Sequence, residues 1–215
     1  MSRRSPAIDE LLEAAPAKAV VLPAAALTCF DIYVDTLLLW RRRLSLTGAA
    51  TALAIVRYHI ADSLFVAPLI QPEFRVADLG SGAGFPGVPL AIACPTATIV
   101  LIEARRKKAN FLRDVVRRTG LPNLTVVEAR AERLGSDHLA SYDLVVSRAV
   151  WPLEEFLRLS EPLLRPNGLA VAMKGPKGPD ELPLQNGSAF SQPEIVRYHL
   201  HNGVRRMLLV FRRVG

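Results

Sequence analysis

The first third of the chain carries apolar residues at helical spacing. Leu27, Phe30 and Val34 recur at intervals of three and four residues, which predicts a helix with one buried face. A second helix is predicted over residues 50–64, and Pro68 closes the region. No strand is expected before residue 70, so this part of the chain is predicted to be helical.

The chain after Phe74 alternates short apolar runs with helical segments, a pattern typical of β-α-β units around a parallel sheet. The strands are predicted at Arg75–Leu79, Thr98–Ile102, Leu124–Val127, Leu144–Ser147 and Leu169–Met173. The helices between them are predicted at Pro86–Ala93, Arg105–Thr119 and Leu153–Leu164. A positive φ angle is predicted for Gly120, at a helix end, and for Gly168, in a tight turn.

The end of the chain has the pattern of a β-hairpin. Two runs, Ile195–Leu200 and Arg205–Arg212, flank Asn202-Gly203, a strong turn signal. With the five preceding strands, this pair predicts an α/β, Rossmann-like fold: a seven-stranded, mostly parallel sheet with a C-terminal antiparallel pair and an N-terminal helical extension. The domains are predicted as residues 1–70, the extension packed on the core, and residues 71–215, the α/β domain.

Lysine and arginine outnumber aspartate and glutamate by 27 to 20 among the 215 residues, which gives a net charge of +7. The excess occurs in clusters, at Arg41–Arg43, Arg105–Lys108, Arg117-Arg118, Arg205-Arg206 and Arg212-Arg213. Clustered basic residues favour a polyanionic partner. Any one cluster can equally be a solvated helix face or strand end, and no basic amphipathic helix indicates a membrane partner.

The N-terminal region does not have the pattern of a targeting signal. Acidic residues from Asp9 onwards precede any apolar run that could serve as a signal-peptide core. The apolar stretch Ala19–Leu27 is interrupted by proline and falls short of the roughly 20 residues that span a bilayer. Cys29 and Cys94 lack the spacing of a zinc site. The sequence therefore predicts a cytoplasmic protein without a metal, and a monomer is expected, although no pattern in the sequence fixes the oligomeric state.

A glycine-rich loop follows the first predicted strand, in the segment Asp78-Leu-Gly-Ser-Gly-Ala-Gly-Phe-Pro-Gly87. Its glycines bring backbone without side chains to the carboxyl edge of a parallel sheet, where ligands bind in open α/β folds. Gly82, Gly84 and Gly87 alone also satisfy the dinucleotide fingerprint. The glycines therefore leave a nicotinamide-dependent oxidoreductase open.

Acidic residues around this loop favour S-adenosyl-L-methionine over a dinucleotide. Asp78 precedes the first glycine, Gly80, by two residues, and a carboxylate there suits a cationic amino-acid tail but repels a pyrophosphate. Glu103, 23 residues after Gly80, can accept hydrogen bonds from both ribose hydroxyls, as either ligand class requires. Glu132 is a candidate partner of the adenine amino group, or else a solvated loop residue.

Two basic residues follow neighbouring predicted strands. Arg148, in Ser147-Arg148-Ala149-Val150-Trp151, follows the fourth strand and Lys174 the fifth. They are predicted to converge on the cofactor edge, where they would bind a phosphodiester or orient a base; ordinary salt bridges are the alternative. The segment has neither the motif of amino methylation nor a cysteine nucleophile. A free lone pair such as guanine N7 needs no general base, so positioning could supply most of the catalysis.

Motifs along nearly the whole chain resemble the RsmG family, also called GidB, the bacterial small-subunit ribosomal RNA guanine-N7 methyltransferases. These motifs are Leu46-Thr47, His59-Ile-Ala-Asp62-Ser-Leu64, Asp78 to Ile92, Glu103 with Lys107-Lys108, Arg130-Ala-Glu132, Ser147-Arg148-Ala149 and Lys174-Gly175. The Gly-Phe-Pro-Gly-Val-Pro extension and the Ser-Arg-Ala triplet are far more specific than the glycines. The chain departs from the family pattern at Arg41, Ser45 and Trp151.

The resemblance implies a class I methyltransferase that moves a methyl group from S-adenosyl-L-methionine, leaving S-adenosyl-L-homocysteine. The implied acceptor is N7 of a guanine in 16S rRNA of the small ribosomal subunit, near the decoding region. The resemblance implies that the cofactor pocket is lined by Gly80, Phe85, Glu103, Ala104, Arg105, Ala131, Glu132 and Arg148. The pattern of the glycine loop adds Asp78 and Gly82 to this set.

Arg148 and Lys174 are implied to lie near the target base, as the catalytic pair. His59 and Asp62, three residues apart on one helix face, would either support the pocket or form a structural pair. A non-catalytic RNA-binding protein on the same fold is the remaining alternative, but such a protein has no need of Asp78, Glu103 and a complete glycine loop.

Overall fold

The computed structural model describes residues 6–11, 20, 22, 24–148, 150–182 and 189–214. The described α-helices are α1 (Pro6–Leu11), α2 (Ala24–Arg41), α3 (residues 52–64), α4 (Gly87–Ala93), α5 (Arg106–Thr119) and α6 (Leu153–Ser160). Short 3-10 turns occur at Ala67–Leu69, Ala131–Arg133, Ser136–His138, Glu161–Leu163, Gly178–Glu181 and His201–Gly203. Up to residue 69 the described chain is helical or irregular, as predicted.

Helix α3 is not a regular α-helix along its length. It consists of the α-helical segments Ala52–Ile55 and Ala61–Leu64 with a π-helical turn, Val56–Ile60, between them. Thr51 begins the helix as its N-cap, because its side chain accepts a hydrogen bond from the backbone N–H of Ala54. Such π turns occur frequently at functional sites, and His59 lies in this one.

Within the described residues, seven strands form one sheet in the order β3-β2-β1-β4-β5-β7-β6. The strands are β1 (Arg75–Leu79), β2 (Thr98–Ile102), β3 (Leu124–Val127), β4 (Tyr142–Arg148), β5 (Leu164–Lys174), β6 (Glu194–His199) and β7 (Arg205–Arg212). The first five are parallel, and β7 pairs antiparallel with both β5 and β6. The predicted fold class is therefore confirmed, including the hairpin at Asn202-Gly203, where both residues have positive φ.

Several predicted element bounds differ from the structure by one or two residues, and the start of β5 and the end of α6 differ by more. Strands β4 and β5 are longer than predicted, and α6 ends at Ser160, before the 3-10 turn Glu161–Leu163. Gly120 has the predicted positive φ of 65°, but near Gly168 the residue with positive φ is Asn167, at 64°. Asparagine tolerates the left-handed conformation better than most residues, so the glycine beside it was not needed for that purpose.

The two faces of the sheet bury different elements. The N-terminal helices cover one face, where Phe30 and Ile60 join Val76 and Ile99 in a single buried cluster. Helix α6 covers the other face with Leu153, Phe156 and Leu157, against strand residues of opposite parity. Because successive side chains of a strand point to opposite faces, each strand end presents one residue to the helical extension and the next to α6.

One described stretch, Ala52–Leu69, is long and apolar enough to cross a membrane by length and composition. Half of it is buried inside the protein. Buried core helices of globular proteins often meet the same criterion, so we interpret this stretch as part of the core on the first face of the sheet.

Candidate functional site

The glycine loop connects β1 to α4 with backbone that few other residues could adopt. Gly80, Gly82 and Gly84 have φ angles of 66°, 57° and 92°, in the region that favours glycine. A Cβ atom added at Gly87 would lie 2.2 Å from Leu101 Cδ2 and 2.7 Å from Asp78 Oδ2. The loop is thus packed tightly against the ends of β1 and β2, and a side chain at Gly87 would not fit there.

Asp78 lies beneath this loop rather than on its surface. Its side chain is fully buried, and Oδ2 accepts a hydrogen bond of 3.0 Å from the Gly87 backbone N–H. Burial raises the pKa of Asp78 to about 7. Among the described residues, Oδ1 is the buried side-chain atom without a hydrogen-bond partner, which leaves an acceptor available at the base of the loop.

A cavity of about 440 Å³ opens at the carboxyl ends of β1, β2 and β3. It is lined by Gly80, Ile102, Glu103, Ala104, Arg105, Lys108, Ala129, Arg130, Ala131, Glu132, Val150 and Trp151. Small-molecule sites typically have volumes of about 300–1,000 Å³, so the cavity can hold a ligand of nucleoside size. Six residues predicted to bind the cofactor are in this lining: Gly80, Glu103, Ala104, Arg105, Ala131 and Glu132.

Glu103 ties the glycine loop to the start of α5. One carboxylate oxygen accepts a 2.9 Å hydrogen bond from the Gly82 N–H, and the other accepts a 2.7 Å bond from the Arg105 N–H. Only 6% of the residue is exposed. Each carboxylate oxygen can accept a second hydrogen bond, so Glu103 is oriented by backbone donors and still has acceptor capacity for two hydroxyl groups of a ligand.

Arg148, at the end of β4, is held by the helical extension. Its guanidinium donates to Asp62 Oδ2 at 3.3 Å and to His59 Nδ1 at 3.1 Å. The guanidinium carbon lies 4.9 Å from the centre of the Phe85 ring, within cation–π distance. The hydroxyl of Tyr198 donates to Asp62 Oδ1 at 2.7 Å. Arg148 is therefore fixed by a carboxylate, an imidazole and an aromatic face.

These contacts determine the tautomer of His59. Arginine can only donate, so Nδ1 is the acceptor, and in the neutral ring Nε2 carries the hydrogen that it donates to Thr47 Oγ1 at 2.7 Å. Burial, and secondarily the positive charge of Arg148, lowers the pKa of His59 to about 4. His59 is thus neutral at physiological pH and serves as a rigid hydrogen-bonding support.

We expect His59 to make the protein less stable as the pH falls from about 6.5 to about 4. Its pKa is about 4 in the fold and about 6.5 in the unfolded chain, so the unfolded state binds more protons in this window and stability rises with pH through it. Asp78 has a raised pKa, so its titration makes the protein more stable as the pH falls and partly cancels the effect of His59. The contribution of His59 is therefore measured as the difference in stability between wild type and a His59 variant. In urea denaturation, His59→Gln should lose less stability than wild type across the window.

The same substitution at His199, which is exposed at the end of β6, provides the control for this measurement. Stability profiles of His59→Gln and wild type that stay parallel from pH 7.5 to pH 4 would show that His59 is not held neutral in the fold.

Lys174 and Arg148 do not converge, contrary to prediction. Arg148 pairs in register with Met173, so Lys174, one residue later, points to the opposite face of the sheet. The Lys174 ammonium donates to the Trp151 carbonyl at 3.0 Å and to both carboxylate oxygens of Glu181 at 2.8 and 2.9 Å. Lys174 thus forms an ion pair with Glu181, and Arg148 forms one with Asp62; their roles near a target base stay predictions.

Lys174 anchors the loop between β4 and α6 through these contacts. Glu181 also accepts a 2.5 Å hydrogen bond from the Leu153 N–H. Side-chain atoms of Val150 and Trp151 would lie 3.0–3.1 Å from a Cβ atom at Gly80, so the loop packs directly on the first glycine. Ala149, the last residue of the Ser-Arg-Ala motif, lies outside the described residues.

Several cofactor residues inferred from sequence do not line the cavity. Gly82 contributes its N–H to Glu103, Asp78 lies under the loop, and Phe85 and Arg148 lie in the His59 and Asp62 cluster. Their binding roles stay predictions. Sequence reasoning missed Tyr198, 136 residues from its partner Asp62, and Glu181, because neither belongs to a local motif. Lys108, Arg130 and Trp151 also line the cavity but were not predicted to do so. The sequence offered a signal for each, because Lys108 and Arg130 belong to the family motifs and Trp151 departs from them.

The fold is shared with solved structures of low sequence identity. TYW2 from M. jannaschii in complex with AdoMet has a TM-score of 0.57 at 18% identity and covers 73% of this chain and 76% of that chain. The tRNA (m1A58) methyltransferase TrmI from Aquifex aeolicus has a TM-score of 0.56 at 14% identity, over 72% of this chain and 68% of that chain. These likenesses concern the architecture alone.

Sequence comparison is more specific. The family model GidB, rRNA small subunit methyltransferase G, matches residues 27–208. Ribosomal RNA small subunit methyltransferase G of Sorangium cellulosum is 39% identical over 167 residues, covering 76% of this chain and 70% of that protein. Its counterpart in Geobacter metallireducens is 37% identical over 173 residues, covering 80% and 79%. The chain belongs to the rRNA small subunit methyltransferase G family.

Proposed function

We propose that the protein transfers the methyl group of S-adenosyl-L-methionine to N7 of a guanine in 16S rRNA, near the decoding region of the small ribosomal subunit. Family membership supports rRNA methylation. The observation that best supports S-adenosyl-L-methionine as methyl donor and a guanine base as acceptor is the cavity beside the glycine loop. The oriented carboxylate of Glu103 lies in this cavity, and Arg148 is held against Phe85 at the end of β4. The oxidoreductase and the non-catalytic binder are not favoured by any comparison.

The residues of the cavity suit S-adenosyl-L-methionine. Glu103 would accept hydrogen bonds from the ribose hydroxyls, Ala131 and Glu132 would border the adenine, and Gly80 would let the ligand approach the backbone. The unpaired Oδ1 of the buried Asp78 is a suitable acceptor for a donor from the amino-acid tail, directly or through water. When bound, the cofactor supplies an electrophilic methyl group on a sulfonium.

The chain's own contribution is to position the reactants. Guanine N7 carries a free lone pair, so methylation there requires no proton abstraction, and correct alignment can account for a large rate gain. Arg148 would present a fixed planar cation to the base, because Asp62 and His59 occupy two of its donor groups. His59 is neutral and already bonded at both ring nitrogens, so it supports Arg148 and is not a general base.

The partner and location follow from the same proposal. The protein would act as a cytoplasmic monomer on rRNA or the small ribosomal subunit, without a membrane partner. The two-domain division, with residues 1–70 as an extension on the methyltransferase domain of residues 71–215, belongs to the proposal as well; the helices of the extension share one buried cluster with the sheet.

The decisive experiment is methyl transfer from labelled S-adenosyl-L-methionine to under-methylated small ribosomal subunits. We expect label in 16S rRNA, at a single guanine whose N7 methylation is shown by reduction and strand cleavage. Lack of incorporation under conditions in which a known small-subunit methyltransferase is active would refute the proposal. Incorporation at another atom or another base would refute the N7 assignment.

We expect Lys174 to act as a positioning residue through the loop it anchors. Lys174→Met should reduce the rate of transfer by about 10- to 100-fold, because small displacements of reacting groups are costly, and should weaken binding of S-adenosyl-L-homocysteine by less than about fivefold. Glu181→Gln should give the same pattern to a smaller degree, since Glu181 holds the same loop. Kinetic constants and calorimetric titration separate the two effects.

Lys177→Met, at an exposed position in the loop after β5, is the matched control and should behave as wild type. A loss of transfer in Lys174→Met that Glu181→Gln does not share in any degree would mean that Lys174 acts on the substrate directly and not through the loop.

A further inference from the structure

A group of basic residues lies in the cavity lining and next to it in the chain. Three of its members line the cavity, namely Arg105, Lys108 and Arg130. The others are adjacent to these in the chain: Arg106 and Lys107 in the first turn of α5, and Arg133 at the end of the 3-10 turn Ala131–Arg133. We call these six residues the cationic rim. It lies at the carboxyl ends of β2 and β3, on the β3 edge of the sheet.

The side chains of the cationic rim are not ion-paired within the described part of the chain, although Glu103 and Glu132 also line the cavity. The second half of the same helix, in contrast, pairs its arginines fully. Arg117 and Arg118 both bond to Asp114, and Arg113 bonds to Glu128. The acidic residues Asp114 and Glu128 thus pair with the cations in the second half of α5, whereas the cations in its first turn form no ion pair with any described residue.

The position of the rim is electrostatically unfavourable for the free protein. The first turn of α5 contains no acidic residue, and the helix dipole already places partial positive charge at this end. Cations here repel the dipole and one another, so they lower the stability of the helix unless an anion binds. An external anionic partner would remove this cost.

The cofactor does not account for the rim. S-adenosyl-L-methionine has one carboxylate and no phosphate, whereas the rim carries six cations. Arg106, Lys107 and Arg133 are exposed and are not part of the cavity lining. RNA, in contrast, presents a row of phosphates, and arginine and lysine side chains supply most of the contacts to such a backbone.

We propose that the cationic rim binds the phosphate backbone of the rRNA strand that flanks the target base. This inference rests on the proposed function, because it takes rRNA as the substrate of the neighbouring cavity. A base in an unpaired segment can be turned into the site while its flanking phosphates remain on the protein surface. The rim lies beside the cavity on the side of β2 and β3. The RNA strand therefore enters across this edge of the sheet, and the target base reaches Gly80 and Arg148 from there.

The test compares two double variants of equal charge change. Lys107→Gln/Arg133→Gln removes two exposed rim charges that do not line the cavity. Arg165→Gln/Arg212→Gln removes two exposed charges in the other half of the sheet, where Arg165 lies at the start of β5 and pairs with Asp143, and Arg212, at the end of β7, bonds to the Asn167 carbonyl. Binding to protein-free, unmethylated 16S rRNA is measured between about 50 and 200 mM salt, and S-adenosyl-L-homocysteine binding is measured alongside.

We expect the rim variant to bind the rRNA about 10- to 30-fold more weakly at about 100 mM salt, with the slope of log K against log salt reduced by about 1.4, because each phosphate contact to a single strand contributes about 0.7. The control variant should retain most of the affinity and slope. Lys107→Arg/Arg133→Lys should restore both. Cofactor affinity should be unchanged in all variants.

Equal losses in the rim and control variants would overturn the proposal, since non-specific charge would then explain the binding. A loss of S-adenosyl-L-homocysteine affinity with unchanged rRNA affinity would overturn it as well and assign the rim to the cofactor.

Methyl transfer by wild type is scored on the same rRNA and on small subunits. If the rim variant alone loses rRNA affinity while wild type transfers no methyl group, the rim proposal stands and the proposed reaction fails.

Discussion

Replacing Gly82 with aspartate is expected to abolish cofactor binding in a chain that still folds. Gly82 has a φ of 57° and donates its N–H to Glu103 at 2.9 Å. An aspartate here would add bulk and a negative charge next to Glu103, whose carboxylate the ligand has to reach, so we expect steric conflict and like-charge repulsion to act together. We expect affinity for S-adenosyl-L-homocysteine to fall by more than about 100-fold in calorimetric titration, a change of about 3 kcal/mol.

Folding should survive because the position has room and a nearby cation. A Cβ atom at Gly82 would come no closer than 3.6 Å to its neighbours, and Lys108 Nζ would lie 3.8 Å away. The strain of positive φ costs about 1 kcal/mol for a non-glycine residue. Gly203→Asp, at another glycine of positive φ but with open space around it, reproduces that strain away from the cavity. Equal cofactor affinity in the two variants would contradict the assignment of the loop.

The sheet was predictable because each of its strands is an apolar run bounded by turn residues. Strands β1, β2 and β3 have the predicted bounds, and the hairpin of β6 and β7 follows from Asn202-Gly203. The longer β5 is not predicted because Pro166 and Asn167 near its start are depleted in strands, and the longer β4 is not predicted because Asp143 interrupts its apolar run after Tyr142. Tertiary pairing with neighbouring strands decides such positions.

The cavity was predictable to the extent that it is built from short segments after strand ends. Gly80, Glu103 and Glu132 follow β1, β2 and β3 respectively, and strand ends of a parallel sheet meet at one edge. The direction of a side chain at such an end depends on register to a single residue, and this is why Lys174 was assigned to the wrong face. Contacts such as Tyr198 with Asp62 join elements that are distant in the chain, and no local pattern indicates them.

Among single substitutions at the site, Arg148→Met is expected to have the largest combined effect on stability and transfer. It removes the cation that neutralises Asp62, whose side chain is only 4% exposed, and leaves the Nδ1 atom of His59 without a donor. Breaking a buried ion pair by removing one partner typically costs about 3–5 kcal/mol. We expect a loss of this size in urea denaturation and a loss of methyl transfer of more than about 100-fold.

A second variant separates the structural from the catalytic part of this effect. Arg148→Met/Asp62→Asn removes both charges, and the asparagine side chain can still accept the hydrogen bond from Tyr198. Replacing both partners of a buried pair is often nearly neutral for stability, so the double variant should regain most of the stability lost by Arg148→Met. Transfer should remain low, because the fixed planar cation beside Phe85 is still missing. If transfer recovers together with stability, Arg148 is a structural residue only and the proposed role at the target base is wrong.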